Sequence, residues 1–262
     1  MKRWNGWGDE KIEFPIPEAA KDYLTKHLGE FQDLRDVELS EITNKIPASK
    51  LEGRDFLSTD PLDRVRHSCG QSLPDWIHLR SGRIPNITDG VTYPESDVEI
   101  DLVIDFAKNN HIILIPFGGG TSVVGHINPP KSDKPVLTLD LTRMNKLLEI
   151  DEISQLACFQ AGIRGPGIEA ALNKIGYTLG HFPQSFEYST LGGWIASRSC
   201  GQQSYHYGRI EDIFRGGSII SPAGRIDLPP FPASAAGPDQ RQLILGSEGK
   251  FGIVSRATVQ IT

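Results

Sequence analysis

Ile112-Ile113-Leu114-Ile115-Pro116-Phe117-Gly118-Gly119-Gly120-Thr121-Ser122 is the stretch on which the fold of this 262-residue chain turns. Its first four residues form a short continuous apolar run, the pattern of a buried strand covered on both faces. Three glycines follow directly, and glycines let consecutive backbone N–H groups converge on one point without a Cβ in the way. Such a nest takes an anion, and Thr121 and Ser122 add hydroxyl donors. Hydrogen bonds to charged groups contribute roughly 1.5–3 kcal/mol each, so three or four of them hold a pyrophosphate with no Lys or Arg adjacent in sequence. A Rossmann fingerprint begun at Gly118 needs glycine where Val123 stands, and a Walker loop needs Gly-Lys-Ser/Thr at its end; neither is present. A tight glycine turn without a ligand fits these residues equally well.

On the N-terminal side, Ser96-Asp97-Val98-Glu99 has the form of a capping box. It predicts a helix broken at Asn109-Asn110, with Val98, Leu102, Val103 and Phe106 on one face. On the C-terminal side, 136–141 and 156–161 predict strands, and 166–175 predicts a helix with Pro166 near its start and Gly176 past its end. Ile253, Ser255, Ala257, Val259 and Ile261 alternate along the last stretch, the period of a half-buried strand. Residues 1–85 read as charged, irregular and helical, with turn signals at Pro47, Gly53, Pro61, Gly70 and Pro74. Helix and strand are mixed along the chain.

Composition narrows the function classes. Hydrophobic residues at 38% and charged residues at 23% describe a folded, water-soluble chain. A formal charge of -6 leaves no basic footprint for nucleic acid. Cys69, Cys158 and Cys200 are odd in number and widely spaced, which suggests neither a zinc site nor a disulfide framework and points to a reducing cytoplasm. The segment Met1 to Gly8 turns polar at once and no apolar run is long enough to span a bilayer, so neither export nor a membrane span is expected. A helix over 19–31 carries Tyr23, Leu24, Leu28 and Phe31 on one side. That stripe is expected to pack on the rest of the fold, with peripheral membrane attachment as the alternative.

Three later segments share the chemistry of the glycine loop: Pro183-Gln184-Ser185-Phe186-Glu187-Tyr188-Ser189-Thr190-Leu191-Gly192-Gly193, then Ser197-Arg198-Ser199-Cys200-Gly201, then Gly246-Ser247-Glu248-Gly249-Lys250-Phe251-Gly252. Small side chains let backbone amides approach an extended ligand closely, as a flavin and a dinucleotide linker both require. Four such loops suggest one long cofactor.

In this order, Pro-x-Gly-Gly-Gly-Thr-Ser, Ser-x-Glu-x-Ser-Thr-x-Gly-Gly-Trp and Gly-Ser-Glu-Gly-x-x-Gly resemble the flavin-binding (PCMH-type) domain of the vanillyl-alcohol-oxidase superfamily. Within it, Arg3-Trp4-Asn5-Gly6-Trp7-Gly8 and Tyr207-Gly208-Arg209-Ile210-Glu211-Asp212 resemble the alkyldihydroxyacetonephosphate synthases and their bacterial relatives. The resemblance implies an α+β fold: a mainly helical segment over 1–85, then an FAD-binding domain over 86–262 made of two α/β subdomains with the FAD between them. It assigns Pro116, Phe117, Gly118, Gly119, Gly120, Thr121 and Ser122 to the pyrophosphate. Gln184, Ser185, Phe186, Glu187, Tyr188, Ser189, Thr190, Ser197, Arg198, Ser199, Cys200, Gly246, Ser247, Glu248, Gly249, Lys250, Phe251 and Gly252 would line the rest of the cofactor. Attachment is expected to be non-covalent, because Thr121 stands where members with a histidyl-linked flavin have His. Gln184 and Tyr188 stand where the animal synthases commonly have Asp and Phe, and Cys200 replaces a Ser.

The same resemblance implies exchange of the acyl group of acyl-dihydroxyacetonephosphate for a long-chain alcohol, without net redox. A 2-hydroxy-acid dehydrogenase of the same superfamily is the alternative, and a cofactor-binding module without catalysis is a third reading. The substrate domain, with the family's catalytic Tyr and His, is expected to be absent from these residues, so no catalytic residue is named. The expected partner is a small-molecule or lipid substrate, with a homodimer and peripheral membrane contact left open. His126, His181 and His206 lie near the loops and are expected to be structural. Cys200 reads as a small residue beside the cofactor, Arg198 as either a site or an ion-paired residue, and Glu248 as bonded within its own turn.

Overall fold

The computed structural model describes residues 3–30, 35–232 and 235–262. Helices α1 (Glu18–Leu28), α2 (Leu39–Thr43), α3 (Pro61–Arg66) and α4 (Leu73–Ser81) occupy the N-terminal third. Two of the expected turn prolines instead open helices, since proline's fixed φ and missing N–H suit a first helical turn. Before Pro61, Asp60 accepts from Leu62 N–H and Asp63 N–H. Around Pro74, Ser72 and Asp75 form a complete capping box, and Gly82 at φ +69 ends the helix. The expectation that the 19–31 stripe packs on the fold is not met: α1 buries no residue, and Tyr23 and Leu28 are 63% and 80% exposed. Phe31 lies outside the described residues.

The first sheet is parallel. Its strands β1 (Gly90–Thr92), β2 (Ile113–Phe117) and β3 (Val136–Asp140) run in the order β1-β3-β2. The strand covered on both faces is therefore β3, buried at every residue, and β2 is an edge. Only an edge strand accommodates Pro116, which has no N–H for the ladder. Helix α5 (Asp97–Asn109) crosses from β1 to β2, capped by Ser96, which accepts from Glu99 N–H; the Glu99 carboxylate reaches Glu95 N–H rather than closing the box. Its buried face is Ile100, Val103, Ile104 and Ala107, a proper i, i+3, i+4, i+7 stripe. Val98 and Leu102, expected to share a face with Val103, are exposed because at about 100° per residue they lie roughly 150–170° from the middle of this stripe.

The second sheet is antiparallel, in the order β4-β5-β8-β6-β7, from β4 (Leu147–Asp151), β5 (Leu156–Gln160), β6 (Phe214–Ser221), β7 (Gly224–Leu228) and β8 (Ile253–Gln260). Helices α6 (Gly165–Asn173), α7 (Leu191–Ser197), α8 (Ser204–Tyr207), α9 (Ile210–Ile213) and α10 (Arg241–Ile244) fill its connections. Phe159, Trp194, Ile195, Phe214 and Val259 join α7 and the sheet in one core. A second core lies between α5 and the parallel sheet; Ile220 and Ile253 at the ends of β6 and β8 belong to it and so tie the two halves together.

Candidate functional site

The glycine loop leaves β2 at the C-terminal edge of the parallel sheet and is pressed between the two halves of the molecule. A Cβ on Gly118 would collide with Thr190 Oγ1, and one on Gly119 with the Tyr188 carbonyl oxygen. These glycines are required because the backbone of the second loop lies directly against them. Gly120 turns through the left-handed region at φ +63. Beyond it, the N–H groups of Gly120, Thr121 and Ser122 meet no protein acceptor among the described residues. Successive unbonded donors around a left-handed glycine form an anion nest, which suits a diphosphate. The residues present thus fit the charged middle of a dinucleotide.

Two spaces adjoin this loop. A cleft between the halves is lined by Pro116, Phe117 and Gly118 on one side and by Thr190, Ser247, Glu248, Gly249 and Gly252 on the other. The structure brings the first, second and last predicted segments together there. A cavity of about 240 Å³ opens against Gly118, Gly119 and Gly120 and is walled by the N-terminal third. Arg3, Arg66 and Arg164 line it, so the cations that local sequence lacks arrive from distant segments. No signal around residues 116–122 announces them; the Arg3-Trp4 motif was the nearest clue.

The N-terminal third is a structural part of the loop's support. Gln71 N–H donates to Ser122 O at 2.6 Å, and Asn128 bridges Gly70 N–H (3.0 Å) and Asp75 Oδ1 (2.6 Å). Trp7 meets the Tyr188 ring edge-on at 5.4 Å between centroids. Buried His67 holds Asp140 at the end of β3, with Nε2 2.9 Å from Oδ2. Burial and the neighbouring Asp63 push the Tyr93 phenol up, so it stays neutral on the wall of the same cavity.

Many predicted hydroxyls are committed to the scaffold. Thr190 caps α7 at Gly193 N–H (3.4 Å), Ser189 joins Ser185 O to Trp194 Nε1, and Ser197 donates to Gly193 O. The first donors of α7 are also taken: Leu191 N–H bonds Ile163 O and Gly192 N–H bonds Ala161 O. Phe186 packs against the core of α7 and the antiparallel sheet beside Gly165, while Gln184, Glu187, Lys250 and Phe251 are exposed. Arg198, left-handed at φ +52, is ion-paired with Glu211 at 3.3 Å and bonds Gln242.

The three histidines separate. His181 is fully buried against Trp194, bonds Ser199 Oγ at 2.8 Å and leaves Nδ1 without a partner. Burial lowers its pKa to about 4, which keeps it neutral. His206 lies on α8 beside Tyr207 and lines neither space. His126 lines the cleft. Cys200 is exposed, and its thiol bonds the neighbouring Gly201 carbonyl at 3.7 Å.

The profile of a family described as an FAD binding domain matches residues 88–227. The alkyldihydroxyacetonephosphate synthase of Dictyostelium discoideum is 34% identical across 99% of this chain and 48% of its own length. A solved structure of an alkyldihydroxyacetonephosphate synthase superposes on the whole chain with a TM-score of 0.86 at 33% identity, covering 54% of that chain. A mitochondrial cytochrome-linked D-lactate dehydrogenase of Saccharomyces cerevisiae is 30% identical over 65% of this chain. The chain spans about half the length of the synthases it matches. Among the described residues, no helix is long and apolar enough to cross a membrane.

Proposed function

We propose a function from one premise: this chain belongs to the FAD binding domain family, and FAD is its cofactor. The chain is the FAD-binding portion of a flavoenzyme that exchanges the acyl group of acyl-dihydroxyacetonephosphate for a long-chain alcohol. One observation carries this reading. The similarity to the synthases runs through 99% of the chain, so it includes the N-terminal third that braces the glycine loop. The similarity to the D-lactate dehydrogenases covers less of it, 65% for the Saccharomyces cerevisiae protein and 79% for that of Arabidopsis thaliana.

Gly120, Thr121 and Ser122 would give their N–H groups to the diphosphate, with Arg3, Arg66 and Arg164 supplying positive charge nearby. Thr190 and the loop from Gly246 to Gly252 would close the opposite wall. FAD, when bound, supplies the flavin ring on which the reaction takes place. Attachment is non-covalent, since Thr121 offers no imidazole for a linkage. The boundary between the helical segment and the cofactor domain falls near residue 85, just before β1. A peripheral membrane contact or a homodimer belongs to the same proposal, because α1 leaves Tyr23, Leu24 and Leu28 uncovered. A cytoplasmic site follows from the three free cysteines.

The test loads the chain with FAD and offers two substrate sets in parallel: acyl-dihydroxyacetonephosphate with a labelled long-chain alcohol, and D-lactate. Label appearing in an ether product while the flavin stays yellow supports the synthase reading. Bleaching by D-lactate overturns it in favour of the dehydrogenase. Bound FAD with neither reaction is the outcome for a cofactor-binding module.

A further inference from the structure

His126 lines the cleft on the side of the glycine loop, where its Nδ1 lies 3.4 Å from Ser122 Oγ of the same loop. Across the cleft it faces Glu248, whose Oε1 lies 3.8 Å from the same nitrogen. Neither wall is loose. The segment carrying His126 is tied down at Ser122 O by Gln71 N–H and at Asn128 by Gly70 and Asp75. Glu248 sits at φ +51, with its N–H donated to Ala196 O at the end of α7. His126 therefore joins the parallel-sheet half to the antiparallel-sheet half at the mouth of the anion nest.

The charges make this placement consequential. Glu248 puts a carboxylate on the wall of a cleft whose nest suits a diphosphate, and like charges repel most strongly where water is partly excluded. The His126 side chain is 24% exposed and the Glu248 side chain 42%, so the carboxylate is only partly screened by solvent. An imidazole N–H turned to Glu248 draws its charge away from the cleft, and one turned inward donates to a phosphate oxygen. Both effects favour the anion.

We propose that His126 is a positioning residue for FAD, a latch that reaches across the cofactor cleft from the glycine loop to Glu248 and offsets the Glu248 carboxylate beside the diphosphate. This rests on the FAD-binding reading. The test is a double-mutant cycle on FAD-free protein titrated with FAD, following the quenching of flavin fluorescence, for the native chain, His126→Gln, Glu248→Gln and the double variant. The latch predicts that His126→Gln weakens FAD binding about tenfold and that Glu248→Gln in that background restores affinity to within about threefold of native. The FAD-free variants are melted alongside, because a merely structural histidine would lower the melting temperature and would not be rescued by Glu248→Gln. Native affinity in His126→Gln, or an unrescued defect in the double variant, overturns the latch. Failure of the native chain to take up FAD overturns the underlying reading instead.

Discussion

Replacing Gly119 by alanine puts a methyl group where no space exists. The new Cβ would collide with the Tyr188 carbonyl oxygen and stand 2.7 Å from Ser189 Cα and from the Tyr188 carbonyl carbon. Carbon contacts settle near 3.5–4.0 Å, so one backbone must retreat by about 1 Å. The second loop resists: Tyr188 N–H and Ser189 N–H are bonded to Ser185 O, and Leu191 N–H to Ile163 O. The glycine loop therefore moves, at a cost of about 2–3 kcal/mol for overpacking. For a chain of this size that lowers the melting temperature by roughly 4–12 °C. The same displacement pulls the Gly120 to Ser122 donors off a bound phosphate, and losing one charged hydrogen bond weakens FAD binding at least about tenfold. Gly176→Ala is the control. Gly176 also lies at φ +82 but has nothing within 4 Å of an added Cβ, so it costs about 1 kcal/mol with no effect on FAD. Calorimetry and FAD titration of both variants decide the matter; native stability and native affinity in Gly119→Ala would refute the close-approach reasoning.

Two further outcomes follow from titratable groups. The His181 pKa of about 4 lies below its ordinary 6.5, so below pH 6.5 the unfolded chain takes up a proton that the folded chain refuses. Stability therefore falls as pH drops from about 6.5 to 4, by roughly 3 kcal/mol in total, and is unaffected above that window; an equally steep loss in His181→Gln would sink this. Exposed Cys200 should react first with a thiol reagent, while Cys69, buried and pushed up to about 12 by burial and by Asp75, should stay unmodified until the chain unfolds. Mapping the label by mass spectrometry checks the order, and early modification of Cys69 contradicts it.

Much of the fold is legible in residue pattern, and the exceptions have physical causes. The helix after Ser96 and the strands at 136–141, 156–161 and 251–261 announce themselves because cap chemistry and period agree. Strand β6 does not, because Gly216-Gly217 interrupts its apolar pattern; both glycines are there so that Leu228 O and Arg256 O can approach the strand. Helices α3 and α4 were hidden behind prolines read as turn formers, although Asp60-Pro61 and Ser72 to Asp75 are ordinary helix starts. At the site, the glycine-rich loops are legible because close backbone approach leaves only one residue type. The arginines are not, since a cavity assembled from Arg3, Arg66 and Arg164 has no local period to detect. Hydroxyls such as Ser189 and Ser197 take on scaffold bonds that residue type alone does not announce, because a residue suited to a ligand is equally suited to a nearby carbonyl.

The most direct test of the account is the colour of the purified protein and what releases it. The purified chain is expected to be yellow, with FAD that acid frees completely and that the FAD-free protein takes back. A colourless chain that takes up no FAD, or a flavin that acid leaves attached, would contradict it.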